Sequence, residues 1–381
     1  MTEETNIRES HTADVGRVVV KIGSGVLTAR HGLNIDALEG IVSDIASLCK
    51  RGIECIVVSS GAIAAGLPRM GITVRPRAIS MLQAAASVGQ TSLMRAYERA
   101  FDRHDIVVGQ ILLTHEDLKN RHRFINARNT ILALIDQGII PIINENDTVA
   151  VSEIRLGDND YLASQTINLA GADLLILLTD TDGFFDKDPH LYSDASLISV
   201  VHSIIDEIKH LASDTSTAVG RGGMKSKVEA ADMATAIGIP AIIANGLTNG
   251  ILLDILEGKN VGTLFIPRSE GLNSRKHWIA YTLRAKGSLT VDQGAADAIA
   301  DGGKSLLPKG IVSLSGSFSP GDLLSIMDPQ GREFARGLVN YNSKEISRIK
   351  GLNSGEIEAT LGYKYSDEII HRDNLVLMNG R

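Results

Sequence analysis

Val18-Val19-Val20-Lys21-Ile22-Gly23-Ser24-Gly25 is an apolar run that ends in a lysine–glycine turn. A run of β-branched residues broken by a single charge reads as a strand covered on both faces, and the glycines after it free the backbone for a tight turn. Working outward, similar short runs lie at Ile53–Val58, Ile106–Leu113, Ile139–Ile143, Leu174–Leu178 and Ile239–Ala244. Helical periodicity fills the gaps. One helix carries Ile35, Leu38, Ile41, Val42, Ile45 and Leu48 behind an Asn34 cap and ends at Gly52, and others span Ala78–Phe101, Arg123–Ile135, Asp160–Leu169 and Met224–Ile237. Apolar strands alternating with helices predict an α/β fold: a largely parallel sheet with helices on both faces. Near Arg268–Lys276 the pattern changes to short alternating runs at Ser288–Val291, Gly310–Ser313, Asp322–Met327 and Phe334–Leu338, which predict a small, mostly-β module.

A second lysine turn, Val219-Gly220-Arg221-Gly222-Gly223-Met224-Lys225-Ser226-Lys227, precedes the last of these helices. Glycine amides and a helix start favour an anion, and lysine ammonium groups suit phosphate oxygens. Neither turn fits the P-loop pattern or the dinucleotide fingerprint with its distant acid. Two such turns suggest one polyphosphate gripped from two sides.

The bulk composition narrows the field. With 44% hydrophobic residues, 37 glycines and only 9 prolines, the chain reads as an ordered soluble protein. One Trp and 4% aromatics argue against a stacking surface for single-stranded nucleic acid. Cys49 and Cys55 are the only cysteines, which leaves neither a disulfide framework nor a zinc set. Residues 1–16 are polar and acidic without a secretory core, and no apolar run approaches the ~18 residues of a membrane span, so a cytoplasmic protein is expected. The net charge of −7 is uneven: from Arg275 onward 14 Lys and Arg face 12 Asp and Glu, whereas the preceding part has 24 against 33. An acidic body that handles anions must gather its cations at the site.

Polar clusters stand where strands end, which is where open α/β sheets bind ligands: Ser59-Ser60-Gly61-Ala62, Asn144-Glu145-Asn146-Asp147 and Thr179-Asp180, with Gly157-Asp158-Asn159-Asp160 ahead of a helix. Singly, each would serve as a turn or a cap. Asp160 stands out because a carboxylate between two lysine turns can hold both ammonium groups and keep them charged. No Ser-His-Asp or Cys-His set is present, and none of the 10 histidines falls in a ligand-spaced cluster. His371-Arg372-Asp373 is similar to a protein-kinase catalytic loop, but it lacks the following asparagine and lies in the β module.

These stretches resemble the glutamate 5-kinases of the amino-acid kinase superfamily. The resemblance rests on Val18–Leu27, Ser59-Ser60-Gly61-Ala62-Ile63-Ala64-Ala65-Gly66, Ile142–Asp147, Gly157–Asp160, Leu177–Asp180 and Gly222-Gly223-Met224. From Leu306-Leu307-Pro308-Lys309-Gly310-Ile311 onward the chain is similar to a PUA domain, here a small β barrel. The implied layout is a disordered tail (1–16), a kinase domain (17–268), a PUA domain (276–365) and a C-terminal tail (366–381). The implied reaction moves the ATP γ-phosphoryl group to the γ-carboxylate of L-glutamate, giving L-glutamyl 5-phosphate in the first step of proline biosynthesis. The resemblance puts ATP, with Mg²⁺, on Lys21, Gly23, Gly25, Thr179, Asp180, Arg221, Gly222, Gly223, Met224, Lys225, Ser226 and Lys227. It puts glutamate on Ser60, Asp147 and Asn159, and makes Lys21, Lys227 and Asp160 catalytic. The amides of Gly23, Gly25, Gly222 and Gly223 would assist, and no residue is assigned as a protein ligand to the metal. A homo-oligomer (dimer or tetramer) and proline feedback, on Leu118–Arg128, are further implications. The chain departs from the family at Arg221, often Thr, and at Gly23-Ser24-Gly25, often Gly-Thr-Ser, which bears on nucleotide affinity.

Two other readings stay open. The substrate of a related acylphosphate-forming kinase would be aspartate, N-acetylglutamate or carbamate. An RNA-binding protein would act through the PUA module, against which stands a charge of only +2 there.

Overall fold

The computed structural model describes residues 3–29, 32–150, 159–189, 191–205, 208–209, 211–212, 223–267 and 285–378. It divides into two units, one of Met1–Lys119 with Thr130–Gly271, the other of Asn120–Asn129 with Leu272–Arg381.

In the first unit the strands are β1 (Arg17–Ile22), β2 (Thr28–Ala29), β3 (Gly32–Leu33), β4 (Glu54–Ser59), β5 (Val108–Leu113), β6 (Ile140–Glu145), β7 (Leu174–Thr179), β8 (Val200–Val201), β9 (Ala241–Asn245) and β10 (Thr263–Phe265). Eight of them form one sheet in the order β5-β6-β4-β1-β7-β9-β10-β8, while β2 and β3 make a separate hairpin. Every neighbouring pair in the sheet is parallel except β9 with β10. All six residues of β7 are buried, as are five of six in β1, which requires cover on both faces and explains the unbroken apolar runs. All six strand runs read from the sequence are strands. The two-residue β8 and three-residue β10 carry too little pattern to be read alone.

The helices of this unit are α1 (Glu3–Thr12), α2 (Ser24–Leu27), α3 (Ile35–Lys50), α4 (Ala62–Arg69), α5 (Ile79–Asp102), α6 (His115–Lys119), α7 (Arg121–Asp136, whose first turns fall in the second unit), α8 (Asn159–Ala170), α9 (Met224–Ala236) and α10 (Ile251–Leu256). Asn34 caps α3 by accepting from the Ala37 amide at 3.3 Å. Gly61 starts α4 in the left-handed region at φ +102°, open to glycine at little cost.

Within the stretch 1–16 expected to be a disordered tail, Glu3–Thr12 form α1, which docks on the sheet edge. The Arg8 guanidinium is buried and donates to the carbonyls of Val261 at 2.8 Å, Ser199 at 2.6 Å and Gly262 at 2.9 Å. Such a dock is invisible in a polar, acidic segment, because it rests on hydrogen bonds to distant backbone.

The second unit has its own sheet, formed by β11 (Gly287–Val291), β12 (Ile311–Gly316), β13 (Leu323–Met327), β14 (Glu333–Leu338) and β15 (Leu375–Leu377) in the order β12-β11-β13-β14-β15. Helices α11 (Gln293–Ala300), α12 (Ser343–Ile349) and α13 (Ile357–Leu361) accompany it. Leu289, Ile326, Tyr341, Ile346 and Ile370 belong to its separate core. Within the stretch 366–381 expected to be a tail, Ile369 and Ile370 are buried and β15 pairs with β14. Three apolar residues make a strand only when a partner strand supplies the hydrogen bonds. The expected change of pattern at 268–276 lies outside the described residues.

Candidate active site

Parallel pairing brings the carboxyl ends of β1, β4 and β7 to one rim. Ile22 pairs with Ser59 on one side and with Leu178 on the other, so Lys21–Gly23, Ser59–Ser60 and Thr179–Asp180 emerge together. The first turns of α8 and α9 supply Asp160 and Ser226–Lys227.

Three charges meet at this rim. Lys21 Nζ lies 2.6 Å from Asp160 Oδ1, and Lys227 Nζ lies 3.5 Å from Asp160 Oδ2. Ser226 Oγ is 2.6 Å from the same Oδ2 and 2.9 Å from the Gly223 carbonyl, so its one proton is shared between two acceptors. All three charged groups are buried, Asp160 fully. Burial alone would raise the Asp160 carboxyl, but Lys21, Lys227 and Ser226 outweigh it and hold it at about 2. Burial pushes the Lys21 ammonium below the ordinary lysine range against the pull of Asp160, and the Lys227 charge adds to the lowering.

The nucleotide-binding residues inferred from the resemblance lie around this triad, with exceptions. Thr179 Oγ1 donates to Asp180 Oδ1 at 3.1 Å, and a Cβ on Gly25 would lie 2.7 Å from Asp180 Oδ2, so a larger residue there requires that carboxylate to swing aside. The Gly23 amide is not available to a phosphate: it donates to the Leu178 carbonyl at 3.0 Å. The amides of Ser24 and Gly25, at the start of α2, take no acceptor among the described residues. Gly223 and Met224 open α9, where Lys225 is exposed. Arg221 and Gly222 lie outside the described residues, as do Gly157 and Asp158.

Beside the triad runs an amide network. Asn159 Nδ2 lies 3.0 Å from each of the Ser59 carbonyl, Ser60 Oγ and Asn144 Oδ1. Asn144 Oδ1 also accepts from the Glu145 amide at 2.9 Å, and its Nδ2 donates to Gln90 Oε1 at 2.8 Å. A backbone carbonyl at Ser59 and a backbone N–H at Glu145 thus fix which way both asparagines point. Ser60 Oγ then accepts from Asn159 and has its own proton free to donate outward. Ser59 Oγ meets Tyr97 OH at 2.8 Å, where burial raises the phenol well above its ordinary value. Asn159 Oδ1 and Gln90 Nε2 are buried without a hydrogen-bond partner among the described residues.

Asp147 lies on the loop after β6, which α5 holds: Gln83 Nε2 donates to the Thr148 and Ala150 carbonyls, each at 3.3 Å, and Ser87 Oγ meets Thr148 Oγ1 at 3.2 Å. Burial raises the Asp147 carboxyl to about 6, with the Arg75 charge pulling the other way.

Comparison with known proteins assigns the chain to a family. Residues 16–245 match the amino acid kinase family and residues 287–361 match the PUA domain. The chain is 47% identical over 371 residues to a glutamate 5-kinase of Syntrophotalea carbinolica, covering 97% of this chain and 100% of the relative. It is 50% identical over 373 residues to a glutamate 5-kinase of Geobacter sulfurreducens, covering 98% and 100%. The chain belongs to the glutamate 5-kinase family. Among solved structures it is similar to a UMP kinase from Bacillus anthracis, at 19% identity and a TM-score of 0.46, over 67% of this chain and 97% of that one.

Within a glutamate 5-kinase, Gln90, Tyr97 and Gln83 went unread in the sequence. Each lies on the long helix α5, whose apolar periodicity conceals the few polar residues turned to the site. Asn144 was visible as part of a strand-end cluster, without a role. No helix among the described residues is long and apolar enough to cross a membrane.

Proposed function

We propose that Lys21, Lys227 and Asp160 carry glutamate 5-kinase chemistry: transfer of the ATP γ-phosphoryl group to the γ-carboxylate of L-glutamate, the first step of proline biosynthesis. The observation that carries this reading is one buried carboxylate held between two buried lysines that enter from different elements. A free glutamate side chain has a pKa of about 4.3, so the nucleophile is already ionised at neutral pH and needs no general base. The barrier is the approach of an anion to a polyanion. Lys21 and Lys227 neutralise charge on the moving phosphoryl group, and Asp160 fixes their ammonium groups. Thr179, Asp180, the Gly25 amide and the turn from Gly223 to Lys227 hold ATP.

The Ser60 hydroxyl, whose oxygen is engaged by Asn159, donates to a substrate carboxylate, and Asp147 receives the α-ammonium. Mg²⁺ fits this site as an ion carried by the nucleotide's phosphates and water, because the Asp160 oxygens are occupied by Lys21, Lys227 and Ser226. Asp180, exposed at its strand end, is the acid suited to such an ion, which supplies neutralisation of phosphate charge. A homo-oligomer, a cytoplasmic location and proline feedback on 118–128 complete the reading on the strength of the family.

The test is glutamate-dependent ADP release with the acylphosphate trapped by hydroxylamine. Aspartate, N-acetylglutamate and carbamate serve as competing acceptors. Turnover with any of these exceeding that with glutamate overturns the substrate assignment.

A further inference from the structure

We infer that Thr263, remote from the reacting groups, is a positioning residue that sets the nucleotide loop after β7. This rests on the reading of Thr179–Asp180 as the ATP end. The loop leaves β7 at Thr179 and runs through Asp180, Thr181, Asp182 and Gly183 to Phe184. At its far end a side chain, that of Thr263, joins the backbone ladder between Phe184–Asp186 and Ser196–Ile198. The Phe184 amide donates to Thr263 Oγ1 at 2.8 Å, and that hydroxyl donates onward to the Ile198 carbonyl at 2.7 Å. Thr263 is fully buried, and its bond from the Phe184 amide is shielded from water. The Ile198 amide returns a bond to the Phe184 carbonyl at 2.8 Å, which closes the loop's base.

Gly183 leaves no slack. A Cβ there would lie 2.7 Å from Thr263 Oγ1 and 2.8 Å from Leu197 Cδ1. Asn245 Nδ2 adds a second tie by donating to Asp182 Oδ1 at 2.9 Å. Asp180 therefore stands between a strand end fixed by the sheet and an anchor in which Thr263 supplies the only bond to the Phe184 amide among the described residues.

The anchor has its own outer support. Thr263 opens β10, and the residues just before it, Val261 and Gly262, offer their carbonyls to Arg8, which also binds the Ser199 carbonyl beside Ile198. The α1 helix precedes the region matched to the amino acid kinase family, which starts at residue 16. The N-terminal helix thereby clamps both segments that Thr263 joins.

Thr263→Val keeps the shape of the side chain and removes the hydroxyl, leaving the Phe184 amide and Ile198 carbonyl unpaired. We expect the KM for ATP to rise about ten-fold with the KM for glutamate unchanged, and Thr263→Ser to restore the ATP KM. A merely structural threonine would lower the melting temperature and leave both constants alone, and that result overturns the inference. Asp180→Ala is measured alongside. If it leaves the ATP KM unchanged, the reading of the loop as the nucleotide end fails. If it raises the ATP KM and Thr263→Val does not, the positioning role fails by itself. Should Thr263→Val not fold, Arg8→Lys, which cannot span three carbonyls, gives the answer: a several-fold rise in the ATP KM alone supports the inference, and an unchanged ATP KM overturns it.

Discussion

Gly66 and Gly89 meet where α4 crosses α5, so closely that a Cβ on Gly66 would lie 1.8 Å from the Ala85 carbonyl oxygen and one on Gly89 would lie 1.8 Å from the Ala62 carbonyl oxygen. The crossing seats α4, which follows Ser59-Ser60, against the helix that carries Gln83, Ser87, Gln90 and Tyr97. Two backbones approach this nearly only when both residues lack a side chain.

Gly89→Ala should therefore force the helices apart. Overpacking of a buried contact costs roughly 1–3 kcal/mol, and a clash with backbone falls at the upper end or beyond. Urea unfolding should show the loss, and the glutamate KM should rise because the amide network shifts with α5. Wild-type stability in this variant would mean the crossing is softer than its geometry.

On the proposed role of Lys227, neutralising charge as it moves in the transition state, Lys227→Ala should reduce kcat by about 10²–10³ with the fold intact. Lys21→Ala should lose turnover similarly and raise the ATP KM as well. Steady-state rates with each substrate saturating separate the two effects. Near-normal turnover would remove the residue concerned from the mechanism.

Asp160→Asn should be worse for stability than either lysine change. It leaves two buried ammonium groups without their counter-charge, and breaking a buried pair costs about 3–5 kcal/mol. The folded pKa of Asp160, about 2, lies below its ordinary 3.8. Its stabilisation is complete above about pH 4 and lost as pH falls through about 2. Acid unfolding of the wild type should be steep in that window, and the asparagine variant should lack this contribution.

Asp147 gives a separate pH signature. Its carboxyl titrates at about 6, and only the ionised form attracts an α-ammonium. Glutamate kcat/KM should fall towards ten-fold per pH unit below about 6, while the ATP KM stays nearly level. Asp147→Asn should raise the glutamate KM and abolish that step. The sign for stability is the reverse, because the raised pKa means the folded state gains protons, and stability, as pH falls through about 6.

A chain ending at Ser269 should retain glutamate-dependent turnover, since Lys21, Asp160 and Lys227 all lie in the first unit and the second has a separate core. Because Asn120–Asn129 groups with the second unit, the proline response expected over 118–128 should change in the truncated chain. Loss of all turnover in a folded, soluble truncation would mean that the second unit completes the site.

The alternation of strands and helices, the glycine-rich turns and the family are all legible along the chain. Apolar period, caps and turn residues act over a few neighbours and are written in order along the chain. Val18–Ile22 and Leu174–Leu178 could be read as covered strands because every residue in them is apolar or nearly so. Asp160 could be picked out because a carboxylate has reason to stand between two lysine turns. That Lys21 and Lys227 reach this carboxylate, that the Gly23 amide is taken by Leu178, and that backbone groups at Ser59 and Glu145 orient Asn159 and Asn144 follow from the folded arrangement. It alone revealed α1, β15 and the Thr263 anchor. These features depend on hydrogen bonds between segments far apart in the chain, and a donor in one segment carries no mark of the acceptor it will meet in another.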